Sequence, residues 1–208
     1  KHKGAGMLLY PAQVAEVLAP IAEYPEIQFS LKMRLGWENA SECMVLVELL
    51  NTLRLSRIAL HARTGKQQYK GHPDLEAFQG FYELCQHPLY YNGDIESLSD
   101  IRQILTRFPL LKGVFIGRGL LSSPLLAKEF KGNETFLPEQ RMSIYFAFHE
   151  ELFSAYSQVL QGETQLLVKM KTLWEYFLPE TDRKLLKRIK KSTRLQQYTE
   201  SVKAIFTS

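Results

Sequence analysis

The chain has 208 residues, 45% of them hydrophobic and 12% aromatic, and a formal net charge of +4. That composition excludes a disordered tail and supports a buried core, and the mild basic excess permits a nucleic-acid partner without requiring one. No apolar run approaches the roughly 20 residues of a membrane span, and the two cysteines, Cys43 and Cys85, lack metal-ligand spacing and read as reduced thiols of a cytoplasmic protein.

The first residues, Lys1-His2-Lys3-Gly4-Ala5-Gly6, carry neither an initiator methionine nor the apolar stretch of a secretory signal. They read as a loop, which gives the expectation of a fragment. From there one pattern repeats: a short apolar strand, a polar loop containing glycine, a helix. Strands are predicted over residues 28–35, 57–62, 88–92 and 113–116, and helices over 11–24, 40–53, 74–86 and 97–108. Pro11 suits a first helical turn and Ser97 suits a cap. Strands alternating with helices predict a parallel sheet covered by helices. Four such units fall short of an eight-stranded barrel of about 250 residues. They predict either an open sheet or the second half of a barrel.

After the polar stretch Gly132-Asn133-Glu134-Thr135 the strand signals end. Apolar residues recur at helical spacing over 140–160, 164–177, 180–191 and 193–206, with Pro179 as a break. Residues 136–208 are therefore expected to form a separate all-α helical domain.

Side chains two apart on a strand share a face. Lys32 and Arg34 thus share one face of the first strand, with Ser30, opposite Phe29, Leu31 and Met33. His61 and Arg63 share a face at the end of the second. Cations placed this way are costly unless an anion or an electron-rich ligand meets them. The third strand ends in Asn92-Gly93-Asp94-Ile95 and the fourth in Gly117-Arg118-Gly119, where glycine lets backbone amides approach a phosphate. The sequence contains no phosphate loop of the Walker type, zinc-ligand cluster or nucleophile elbow. The chemistry these residues suggest is phosphate binding with basic groups around a flat ring.

In that order the motifs resemble those of tRNA-dihydrouridine synthases. Lys32-Met33-Arg34-Leu35-Gly36-Trp37 resembles a K-x-R-x-G-W segment, and His61-Ala62-Arg63-Thr64 with Gln67 or Gln68, Tyr69 and Gly71 resembles an H-x-R-T-x-x-Q-x-Y-x-G loop. Asn92-Gly93-Asp94-Ile95 matches N-G-D-I, Ile116-Gly117-Arg118-Gly119 matches I-G-R-G, and Gly4–Leu9 resembles a G-x-x-L-L stretch. The resemblance implies the C-terminal half of an FMN-binding (β/α)8 TIM barrel over residues 1–133, then a helical tRNA-binding domain over 136–208. It implies NADPH-linked reduction of uridine to 5,6-dihydrouridine in tRNA. Lys32 and His61 would contact the flavin ring, and Asn92, Gly93, Asp94, Gly117 and Arg118 its phosphate end. Arg34 and Arg63 would face the target base or the tRNA backbone. The family's catalytic cysteine belongs to a segment expected upstream of Lys1, so the chain by itself is expected to be inactive. Alternatives are another FMN-dependent barrel oxidoreductase acting on a small pyrimidine-like substrate, or a non-catalytic RNA-binding module.

The segment 183–194 carries Arg183, Lys184, Lys187, Arg188, Lys190, Lys191 and Arg194 without an acidic residue, around a narrow stripe of Leu185, Leu186 and Ile189. Such clusters bind phosphates with salt-sensitive affinity, and in this resemblance they are tRNA contacts. Trp174, Tyr176, Phe177 and Tyr198 read as core aromatics. A half barrel leaves two open sheet edges, so self-association is expected.

Overall fold

Among the described residues, four strands alternate with helices through the first half of the chain and helices follow in the second half. The structure, a computed structural model, describes residues 3–207, in two units that divide between Ile116 and Gly117.

In the first unit a 3-10 turn, Gly4–Leu9, leads into α1 (Pro11–Leu18), with Pro11 in the first turn as expected. The helix predicted to run to residue 24 instead tightens into a 3-10 segment, Ala19–Glu23. Pro20 has no N–H to continue the α ladder, which accounts for the change. The strands are β1 (Phe29–Gly36), β2 (Leu55–Thr64), β3 (Leu89–Asn92) and β4 (Gly113–Phe115). They pair in the order β1-β2-β3-β4, all parallel. β2 outruns its predicted 57–62 because its pairing with β1 extends from Leu55 to Thr64.

The connecting helices are α2 (Val47–Thr52), preceded by a 3-10 turn at Glu42–Leu46, then α3 (Leu75–Leu84) and α4 (Leu98–Arg107). Asp74 caps α3 by accepting from the Ala77 amide at 2.9 Å. Ser97 caps α4 in a capping box with Asp100, as its sequence position predicted. The core lies between sheet and helices. Phe78 meets Tyr91 and Phe108 edge-on, each at 5.0 Å between ring centroids, and Phe81, Ile58 and Leu60 are wholly buried beside them. Each such side chain contributes about 2 kcal/mol through its burial.

The second unit contains α5 (Arg118–Ser122), α6 (Leu126–Gly132), α7 (Pro138–Val159), α8 (Glu163–Leu173), α9 (Arg183–Lys191) and α10 (Leu195–Phe206). Among its described residues there is no strand. Residues 118–132, assigned on sequence to the barrel part, pack with the helices that follow. Leu125 joins their apolar core, the Ser123 hydroxyl meets that of Tyr145 at 2.7 Å, and buried Glu129 accepts from Arg141.

The centre of this unit is aromatic and hydrogen-bonded. Trp174 donates its indole N–H to the Tyr198 hydroxyl at 3.0 Å, and that hydroxyl lies 2.6 Å from His149 Nε2. A carboxylate can only accept, so the uncharged His149 donates from Nδ1 to Glu150 at 3.0 Å, which leaves Nε2 to accept from the Tyr198 hydroxyl. Trp174, Phe177 and Tyr198 are core residues as expected, whereas Tyr176 is 39% exposed. No helix among the described residues is long and apolar enough to cross a membrane.

Candidate functional site

Parallel pairing puts residues from neighbouring strands in rows. Arg34 of β1 stands opposite His61 of β2, and His61 stands opposite Asn92 of β3. Lys32 lies opposite Ala59, whose small side chain leaves room on the same face. The C-terminal ends of three strands thus bring Lys32, Arg34, His61 and Asn92 together. Asn92 continues the row by donating its side-chain amide to the Phe115 carbonyl at 2.9 Å.

Burial and charge set the protonation of this row. Lys32 is lowered from its ordinary value, first by burial and then by the Arg34 charge. His61 is 6% exposed and is pushed down to about 4. Burial is the main cause, followed by the cations Arg34, Lys32 and Arg63, with Asp94 opposing them. At neutral pH His61 is therefore an uncharged imidazole that can donate or accept a hydrogen bond. Among the described residues Lys32 and Arg34 pair with no carboxylate. Lys32 and Arg34 also border a cleft of about 450 Å³ lined by apolar residues of the preceding helices, including Leu8, Val14 and Leu18.

Two close approaches shape the loops at these strand ends. A side chain at Gly93 would place its Cβ 2.0 Å from the Tyr91 hydroxyl, and one at Gly65 would meet the Trp37 ring at 2.2 Å. Both turns demand glycine for space rather than for an unusual φ. Arg63 points into the unit and is wholly buried, bound to Asp94 and to loop carbonyls. It sits beside the row but offers no surface to a large ligand.

The sequence reading left Gln67 and Gln68 as alternatives. Gln67 folds into the loop, accepting from the Thr64 amide at 3.3 Å and donating to the Lys70 and His72 carbonyls at 2.9 and 2.8 Å. Gln68 is exposed, with a left-handed φ of 53°. One shaping residue was missed: the Glu42 carboxylate accepts from the amides of Trp37, Glu38 and Asn39 at 2.7, 3.1 and 2.8 Å. A carboxylate just past a Gly-Trp strand exit, opening a helical turn, was the available signal.

Gly117 and Arg118 belong to the second unit. Gly117 is exposed, with open space where a Cβ would stand, and Arg118 begins α5.

The same unit carries the basic helix. Asp182 caps α9 by accepting from the Lys184 and Leu185 amides at 2.8 and 3.2 Å, and Lys171 holds its far end through the Ser192 carbonyl at 2.6 Å. Ile189 is buried and Leu185 and Leu186 pack on the core, as the apolar stripe predicted. Arg183, Lys184, Lys187, Arg188, Lys190, Lys191 and Arg194 are all exposed. Lys184, Lys187, Arg188 and Lys191 share one face and line a groove of about 420 Å³ with Gln197 and Glu200 of α10.

Comparison with known proteins bears on both sites. A family model described as dihydrouridine synthase (Dus) matches residues 1–207. Tyrosine–tryptophan cores and basic helices occur in many proteins, but the match extends over both units. The tRNA-dihydrouridine synthase B of Vibrio vulnificus is 26% identical over 143 residues, 67% of this chain and 44% of that protein. A probable tRNA-dihydrouridine synthase of Aquifex aeolicus is 35% identical over 135 residues, 63% of this chain and 42% of the relative. One from Rhizobium leguminosarum bv. phaseoli is 30% identical over 124 residues, 59% and 39% of the two chains. The chain spans about two fifths of the length of these curated relatives.

Proposed function

We propose, from the premise that the chain belongs to the dihydrouridine synthase family, that it supplies the flavin-holding and tRNA-holding parts of a tRNA-dihydrouridine synthase. The observation that carries this reading is the row of Lys32, Arg34, His61 and Asn92 at the C-terminal ends of three parallel strands. Barrel enzymes place their sites at that end, and on this reading the first unit is the second half of such a barrel. The helical unit then grips tRNA through α9.

The residues present fit FMN. An uncharged imidazole and two cations without carboxylate partners suit an electron-rich ring, and the Asn92-Gly93-Asp94 turn that ends β3 suits backbone contact with a polar tail. When bound, FMN would carry hydride from NADPH to the uracil ring. The chain's own part is to orient. Lys32 and His61 would hold the ring system, and Asn92, Gly93 and Asp94 its phosphate end. The base must leave its stack to reach such a site.

Neither cysteine suits proton donation to that base. Burial pushes Cys43 up to about 12 and raises Cys85, and Cys43 gives its proton to the Ala40 carbonyl. The paired sheet ends at β1 and β4, and association through those edges is part of the proposal. Light scattering that finds monomers at high concentration would remove it.

The decisive test is FMN titration of the chain, followed by flavin fluorescence. Lys32→Met and His61→Gln should each weaken binding about tenfold, the effect of one lost charged or buried polar contact. Identical affinities for wild type and both variants would detach the row from the cofactor and sink the assignment.

A further inference from the structure

The loop from β2 to α3 is held from two sides by arginines of adjacent strands. Arg34 donates to the carbonyls of Thr64 at 2.6 Å and Gln68 at 3.4 Å. Arg63 donates to those of Lys70 and Gly71, both at 2.9 Å, and pairs with Asp94 in the turn after β3. The bonded carbonyls at 68 and 70 bracket Tyr69, which is 60% exposed with its ring 6.3 Å from that of His61. Gln67 ties the loop internally, and Gln68 takes a left-handed backbone that only a closely determined loop imposes on such a residue.

Arg63 is 0% exposed. A phosphate or a base cannot reach a guanidinium with no surface, and its planar fork is already spent on two carbonyls and a carboxylate. Its Nε–H has no partner among the described residues, so the fork and not the stem makes the contacts. A wholly buried cation persists only if paired, and Asp94 supplies the pair.

We infer that Arg63, with Arg34, is a positioning residue: it fixes the 64–72 loop against the Asn92–Asp94 turn before any ligand arrives, and does not itself meet the nucleic acid. The inference deepens the proposed site, since it assigns the loop carrying Tyr69 and Lys70 as a preformed wall at the ends of β2 and β3. It replaces, for Arg63, the role of tRNA contact expected from its motif.

Amide hydrogen exchange on the full chain tests it directly, because amides along the loop have protein partners. Gly65 and Lys66 donate to the Gly36 and Trp37 carbonyls, and Gln68 and Lys70 donate within the loop. In Arg63→Gln the loop amides should exchange about tenfold faster while β1 and β2 keep their protection. Arg63→Lys, which keeps charge and much of the packing, should show the same local effect, because an ammonium cannot span the two carbonyls and Asp94. Unchanged loop exchange, or a uniform rise through the strands, overturns the inference; the second outcome would make Arg63 an ordinary stability residue.

Salt-dependent binding of tRNA to Arg63→Gln supplies the other arm. A positioning residue leaves the slope of log affinity against log salt unchanged, whereas a lost phosphate contact lowers it by about 0.9 and overturns the inference. Exchange is read without flavin or RNA, so failure of the FMN titration would count against the proposed function and leave the loop result standing.

Discussion

The two units carry their positive charge in opposite ways. The first gathers Lys32, Arg34 and Arg63 around a buried histidine, with Arg63 wholly buried, Arg34 half-buried and Lys32 open to solvent, and each cation meets carbonyls, a carboxylate or its neighbours' charge. The second buries a neutral aromatic network and sets seven cations on and just beyond α9 in solvent. Inward charge at low dielectric orients and tunes at short range, and outward charge attracts at long range and is screened by salt. The units therefore differ in what a lost cation costs: geometry in the first, affinity in the second.

The largest expected effect tests the outward charge. Lys184→Gln/Lys187→Gln/Arg188→Gln removes three cations from the groove face, and Arg183→Gln/Lys190→Gln/Arg194→Gln removes the same charge elsewhere. The groove set should weaken tRNA binding about a hundredfold at low salt and lower the salt slope by about 3. The second set should cost less than about tenfold. Equal losses would mean that net charge alone acts, and the groove would have no privileged role.

A smaller effect sets the two buried histidines against each other. His61 is held down by burial and then by three cations; His149 is lowered by burial while Glu150 works against it. In both, the unfolded chain binds the proton more readily, so stability is full above the unfolded value near 6.5 and falls as pH drops below it. For His61 that loss continues to about 4, and it should reach about 1 kcal/mol near pH 5.5. Lys32→Met removes one of the charges on His61 alone. NMR titration of the imidazoles should then show His61 moving up toward its ordinary range and His149 unmoved. A shift of both, or of neither, would break the contrast between a buried histidine that neighbouring cations push further down and one that burial alone lowers.

Much of this was legible in the sequence. The alternation of strand and helix, the Ser97 cap and the Leu185, Leu186 and Ile189 stripe are local patterns, written within a few residues of where they act. The row of Arg34, His61 and Asn92 followed from where each strand ends. Arg63 was less legible, because alternation places it on the polar face beside His61 but says nothing of Asp94, 31 residues away, or of the loop that closes over it. Glu42 was missed for a related reason: its carboxylate reads as a solvated charge until the Trp37–Asn39 amides are seen to converge on it. Pro20 could have been read, since a proline inside a helical pattern breaks the ladder wherever it falls.

The smallest expected effect comes from two ion pairs in the first unit that look alike on paper. Lys66 meets Glu38 at 2.5 Å, with the side chains 57% and 46% exposed, and Arg63 meets Asp94 with side chains 0% and 31% exposed. Water solvates the separated Lys66 and Glu38 almost as well as they solvate each other, and both lose rotamer freedom on pairing. Lys66→Gln should therefore change stability by less than about 0.5 kcal/mol in a chemical denaturation series. It should also leave loop exchange unaltered, since the neighbouring amide of Lys66 is held by the Trp37 carbonyl and not by the ammonium. A rise in loop exchange comparable to that of Arg63→Gln would show that position on the loop, and not burial, decides what a cation is worth here.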